Sequence, residues 1–162
     1  MHAFARQNIL ILHFATMLHI DLLDNLNLKI KTEDNIRFVW DIVRKRWIRL
    51  TPEEHVRQAL VHYLVEYMHY PPGLIALEKQ IKYGTLVKRY DIVVYDRNHH
   101  PWMLAECKAP DIAIDNRTLH QLLQYHSQLP CPYWLLSNGQ HSHCANAANV
   151  NDIYWMEQLP EY

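Results

Sequence analysis

From residue 26 onward, the spacing of hydrophobic and polar positions changes period several times, and each change marks an element. LNLKIK (26–31), IRFVW (36–40) and RWIRL (46–50) read as short strands, with Glu33-Asp34-Asn35 as a turn. At residue 51 the period lengthens. Val56, Leu60, Tyr63, Leu64 and Tyr67 then fall on one side of a helix that reaches Tyr70. Its start is written in Thr51-Pro52-Glu53-Glu54: a threonine cap, a proline at the first helical position, acids in the first turn and Glu54 at the capping-box position. Pro71-Pro72-Gly73 stops it.

Strands follow at 74–83 (LIALEKQIKY), 88–95 and 101–108, with turns at Gly84-Thr85 and around Asn98. Asp115 caps a second helix that carries Leu119, Leu122, Leu123 and His126 on its apolar side and ends before Pro130. A strand at 132–136 (PYWLL), a Ser137-Asn138-Gly139 turn and two strands near 141–145 and 152–157 complete the pattern. The order helix, three strands, helix, strand predicts an α/β fold with helices flanking a central sheet.

Length and composition add that residues 25–162 form one domain, 25–50 as a β-hairpin and 51–162 as the core. At 162 residues and 49% hydrophobic, the chain can bury a real core, and disorder is excluded. The net charge of −1 hides a division. Residues 25–108 carry 14 Lys/Arg against 10 Asp/Glu, hence +4, whereas residues 109–162 carry one against five, hence −4. An anionic partner therefore belongs with the first part. Cys107, Cys131 and Cys144 lack the spacing of zinc or redox motifs and point to buried thiols in a reducing cytoplasm. Residues 1–24 read as a peripheral extension, with Met17 an alternative native start; their apolar run is too short to span a membrane.

The chemistry concentrates in RYDIVVYDRNHHPWMLAECK (89–108). Alternation along a strand sets Trp102, Leu104, Glu106 and Lys108 on one face and Met103, Ala105 and Cys107 on the other. Asp91 and Glu106 lie symmetrically about the turn near 98–99, so an antiparallel pairing brings them together. Two acids on apolar strands are costly without a positive charge between them. Mg²⁺ fits, since it takes carboxylate and carbonyl oxygens at about 2.0–2.1 Å and keeps waters that can become nucleophiles. Lys108 then orients or deprotonates the attacking water, or stabilises charge developing at phosphorus; the base role needs its pKa to fall from about 10.4. The plain alternative is a set of strand-end pairs, Asp91 with Arg89 or Arg97 and Glu106 with Lys108.

With TPEEHVRQALVHYL (51–64), GLIALEKQI (73–81), KRYDIVVYD (88–96), LAECKAP (104–110) and QLLQY (121–125) in view, the chain resembles the PD-(D/E)XK nuclease superfamily. In particular it is similar to the N-terminal nuclease domain of type I restriction enzyme R subunits and their short stand-alone relatives. The resemblance covers residues 25–160. It implies a restriction-endonuclease-like αβββαβ core and metal-dependent hydrolysis of DNA phosphodiesters, with Mg²⁺ as cofactor and Mn²⁺ as a substitute. By it, Asp91, Glu106, the Cys107 backbone carbonyl and the accessory acid Glu54 hold the metal, and Lys108 is the catalytic lysine. Arg89, Gln121 and Tyr125 bind DNA or support the site. Tyr90 stands where the superfamily's namesake motif has proline. No GxxxxGK[ST] occurs, so no ATP site is expected in this chain.

The expected partners are DNA and either further copies of the chain or a restriction or defence protein, with no membrane role. The alternative function is a catalytically weak nuclease-fold module that binds nucleic acid or a partner in such an assembly. A structural interaction domain is a third. His55, His62 and His69 recur every seven residues over about 21 Å of helix, too far apart for one ion. His141 and His143 share a strand face beside Cys144, a weak zinc pattern.

Overall fold

The computed structural model describes residues 16–20, 22–23, 26–149 and 151–162. Strands β1 (Ile30–Glu33), β2 (Ile36–Asp41) and β3 (Arg46–Arg49) form an antiparallel meander in the order β1-β2-β3. Asp34 and Asn35 take φ of 50° and 62°. Both are left-handed, the backbone that a two-residue hairpin turn requires and that Asp and Asn tolerate. Where the sequence suggests a hairpin, the structure has three strands forming a sheet of their own.

Helix α1 (Pro52–His62) begins as expected: Thr51 is extended and its Oγ1 accepts from the Glu54 N–H at 3.1 Å. The Glu54 carboxylate is turned to other partners, described below, so its backbone N–H is what joins the cap. Thr51→Ala is expected to cost about 1 kcal/mol of stability, seen as a lower urea midpoint at unchanged slope. An unchanged midpoint would remove the cap from the account. Past His62 the helix widens into a π turn over Tyr63–Tyr67, closed by the Met68 N–H donating to the Tyr63 carbonyl at 3.1 Å. The extra residue in that turn rotates the register. Tyr67, expected on the core side, is 56% exposed.

Six strands form the main sheet, β4 (Ile75–Tyr83), β5 (Leu86–Tyr95), β6 (Pro101–Cys107), β7 (Tyr133–Ser137), β8 (Ser142–Asn146) and β9 (Tyr154–Met156), hydrogen-bonded in chain order. All neighbours are antiparallel except β6 and β7, which are parallel because helix α2 (Asn116–His126) crosses between them. The sequence α1, β4, β5, β6, α2, β7 is the αβββαβ order, and the mixed sheet with its helices is compatible with a restriction-endonuclease-like fold.

Each helix covers its own side of the sheet. Val56, Leu60 and Leu64 pack with Ile92, Val94, Met103, Ala105 and Cys107. Leu119 and Leu122 of α2 pack with Val93, Leu104, Trp134 and Leu136. Leu123 flanks that stripe and is 37% exposed. His126 holds the core side, accepting from Trp134 Nε1 at 3.1 Å.

One side chain leaves its expected face. The β5–β6 register shifts between Val94 and Tyr95, from Val94↔Met103 to Tyr95↔Pro101, so Trp102 is an extra residue without an opposite number. Its ring packs on Tyr70, Tyr133 and Tyr162, on the α1 side, and not with Leu104.

The expected extension over 1–24 falls mostly outside the described residues. Its described part is integrated: Leu18 and Leu22 are buried with the α1-side core, and the Leu18 N–H donates to the Ser142 carbonyl at 2.8 Å.

Candidate active site

Across β4, β5 and β6, at the level where β6 ends, three acids stand in a row. The pairs Leu77↔Ile92 and Lys79↔Tyr90 place Glu78 across from Asp91, and Ile92↔Ala105 extends to set Asp91 beside Glu106. Like charges directly opposite one another destabilise a sheet. The ladder is accordingly interrupted there. Glu78 takes φ of 50°, a left-handed backbone inside a strand, and Asp91 Oδ2 accepts from the Cys107 N–H at 2.8 Å. Strain of this kind persists where the surroundings over-determine it.

What over-determines it is a pair of arginines. Arg57 on α1, 3% exposed, donates to Asp91 Oδ1 and to Glu53 Oε1 at 2.9 Å each, and also pairs with Glu54. Arg44, in the turn between β2 and β3, bonds Asp41 and Glu78 and lies 2.8 Å from Glu54 Oε1. Gln58 donates to Asp41 at 2.8 Å and to Glu54 at 2.9 Å. Burial opposes the charge on both arginines, but the carboxylates outweigh it and hold each guanidinium above its ordinary range. Burial likewise works against Glu78, whose carboxyl Arg57 and Arg44 nevertheless hold below the usual range.

The other side of the row is built on β6 and α2. Lys108 Nζ donates to Glu106 Oε1 at 2.7 Å. Gln121 Nε2 donates to the same oxygen at 2.7 Å and lies 2.6 Å from the Tyr125 hydroxyl. Tyr125 packs edge-on against Tyr90, with ring centroids 4.8 Å apart, and carries the Lys88 ammonium at 5.1 Å from its own centroid. Burial and the neighbouring charge of Asp91 push the Glu106 carboxyl up to about 7, against the pull of Lys108. Burial disfavours the Lys108 charge, yet contact with Glu106 holds its ammonium above the ordinary range. The Cys107 thiol is fully buried, and burial with Asp91 keeps it protonated, so its sulfur is chemically idle.

These groups face an open cavity of about 410 Å³ lined by Asp91, Glu106, Lys108, Gln121, Tyr125 and Arg89, together with Glu53 and Lys88. Of the residues expected from the sequence, Glu54 does not line it. Glu54 is 5% exposed and held by Arg44, Arg57 and Gln58, while Glu53, one position earlier, reaches the cavity wall. Sequence reasoning missed Arg57, Arg44, Gln58 and Asp41. Arg57 and Gln58 lie off the Val56–Leu60–Leu64 stripe, where local periodicity gives no sign that they are buried.

The donor chemistry suits a hard divalent cation. Burial first, and then the charge of Asp91, lifts the Glu106 carboxyl to about 7, and a cation bound between the two acids would oppose both effects. Among the described residues no three His, Cys, Asp or Glu side chains are gathered as a ready ligand set. A cation held there would need backbone oxygen or water for its remaining ligands.

The family model for the type I restriction enzyme R protein N terminus matches residues 52–160, which contain α1, the whole six-stranded sheet and α2. Comparison with curated proteins gives no match.

Proposed function

The chain belongs to the family of type I restriction enzyme R protein N termini, and on that premise we propose that it hydrolyses DNA phosphodiester bonds with Mg²⁺, as an endonuclease. The observation that carries this reading is the convergence of Asp91, Glu106 and Lys108 on one cavity, with Gln121 and Tyr125 closing its far side.

Asp91 and Glu106, with the Cys107 carbonyl, would hold the cation. When bound, such an ion polarises the phosphoryl oxygen and activates water. The remaining work falls to side chains. Lys108 carries an ammonium whose proton affinity is raised, not lowered. It serves as a fixed positive charge for the oxygens of the crowded phosphorus and not as the base. Gln121 holds Glu106 Oε1 from the α2 side and so fixes the carboxylate that Lys108 also contacts. Lys88 and Arg89 line the same cavity and supply the positive charge that a phosphate backbone needs on approach. Arg57 anchors Asp91 from behind and keeps its Oδ1 oriented.

Activity on plasmid and single-stranded DNA with Mg²⁺ or Mn²⁺, before and after EDTA, tests the reading. Cleavage is expected with either ion and absent after chelation; cleavage that persists in EDTA would sink it. No cleavage with either ion, together with salt-sensitive DNA binding, would favour the second reading, a nuclease-fold module that binds within a restriction assembly.

A further inference from the structure

The β1–β2–β3 sheet precedes the residues matched by the family and has a face that the active site does not use. Its register divides the side chains into two sets. Val39 and Asp41, both fully buried, lie on the face turned inward. On the other face Lys31, Phe38 and Arg49 form one cross-strand row, and Trp40 pairs with Trp47 in the next, beside Lys29. Three aromatic rings are thus interleaved with three cations on an outward sheet surface.

The contacts within this face are specific. The Trp40 and Trp47 rings meet edge to face at 5.5 Å. Lys31 Nζ lies 4.6 Å from the Trp47 centroid and 5.8 Å from that of Phe38, and Lys29 Nζ lies 5.7 Å and 5.8 Å from the two indoles. The rings are half-buried beneath these stems, and Lys29 and Arg49 are exposed. Residues 26–50 carry seven Lys/Arg against Glu33, Asp34 and Asp41, hence +4, and Asp41 is neutralised internally by Arg44. A patch of flat apolar rings framed by cations offers stacking surfaces and phosphate partners together.

We infer that this face is a docking platform for single-stranded nucleic acid, with bases stacking on Trp47, Trp40 and Phe38 and phosphates paired to Lys29, Lys31 and Arg49. Charge complementarity selects a polyanion. The aromatic rows select the single strand, because only unpaired bases present their faces, whereas a duplex offers groove edges and backbone. Lys31 Nζ also pairs with Glu33 Oε1 at 2.7 Å on this face, so a phosphate takes Lys31 by displacing that carboxylate, whereas Lys29 and Arg49 are exposed to it directly. The platform shares with the proposed function only the premise of a nucleic-acid substrate; it needs no metal and no cleavage.

The test is binding of a fluorescein-labelled oligothymidylate of about twenty nucleotides to the full chain in EDTA, followed by anisotropy across a salt series. The single strand is expected to bind more tightly than a duplex of equal length, with affinity falling steeply as salt rises. Trp47→Ala should weaken it by about tenfold, and the double change Lys31→Glu with Arg49→Glu should weaken it further and flatten the salt slope. The charge reversals sit on the surface, so they keep the question decidable if Trp47→Ala fails to fold. Arg117→Glu, a charge reversal at an exposed position on α2, should bind as wild type does, which ties the loss to this face and not to net charge. Unchanged affinity in the charge-reversed protein, or equal loss for duplex and single strand, would overturn the inference. So would a concentration-dependent dimer that those substitutions dissolve, with no effect on the oligonucleotide.

Discussion

Lys108→Ala is expected to slow Mg²⁺-dependent DNA cleavage by about 10²–10³-fold, the range for losing one preorganised charge at a developing oxyanion. Asp91→Ala is expected to lose more, because it removes a carboxylate proposed to hold the cation and also the acceptor of the Cys107 N–H. Lys108 suits the role because its position is set twice, by Glu106 at 2.7 Å and by the Gln121 side chain. It is also only partly buried, at 24% side-chain exposure, so its removal should leave the fold intact. Lys108→Arg should recover only part of the rate, since a planar fork cannot occupy the place of a compact ammonium. Single-turnover rates at saturating protein, with thermal melts as the control for folding, check both substitutions. Metal-dependent cleavage that survived Asp91→Ala and Lys108→Ala together would remove these residues from the chemistry.

The largest expected effect on stability lies at Arg57. Arg57→Ala should lower the unfolding free energy by about 3–5 kcal/mol, the usual loss when one partner of a buried charge network is removed. Three carboxylates, Glu53, Glu54 and Asp91, lose a direct partner, and Glu78, 3.7 Å away, loses a neighbouring positive charge. Arg57→Lys should rescue little, because a single ammonium nitrogen cannot span the Asp91 and Glu54 carboxylates as the two terminal guanidinium nitrogens do. The deficit should shrink as pH falls. Against burial, Arg57 helps hold the folded-state Glu78 carboxyl below its ordinary range, so the stabilisation that Arg57 gives it is full above the carboxylate range and is lost in acid. In the variant the crowded acids take up protons at higher pH, relieving the repulsion sooner. Urea unfolding at neutral and at mildly acidic pH measures this; a deficit that stayed constant with pH would mean that packing, not charge, sets the cost.

Much of the fold was legible because local chemistry and tertiary structure agree. The Thr51 cap and the Asp115 cap, whose side chain accepts from the Arg117 and Thr118 N–H groups, depend on neighbours in sequence. The Asp34-Asn35 turn does too. The approach of Asp91 to Glu106 does so only in part: the pairing next to the turn, Tyr95↔Pro101, would set Asp91 opposite Ala105, and the β-bulge at Trp102, between the turn and Ile92↔Ala105, moves it opposite Glu106. Lys108 beside Glu106 follows from a strand period of two.

The part that sequence could not supply is which charges those acids would meet. By local rules Arg57 is an ordinary helix-surface partner for Glu53 and Glu54 at four and three residues. Only the packing of α1 over the end of β5 buries it and delivers its second nitrogen to Asp91, 34 residues away. The same packing draws Glu54 into the Arg44–Asp41–Gln58 network and leaves Glu53 at the cavity. Sequence by itself therefore determined the elements, their order and the trio Asp91, Glu106 and Lys108, because each rests on short-range periodicity. The tertiary structure alone decided how the row of acids is neutralised, because that balance is struck between elements distant along the chain, in a buried region where an unpaired charge is too costly to keep.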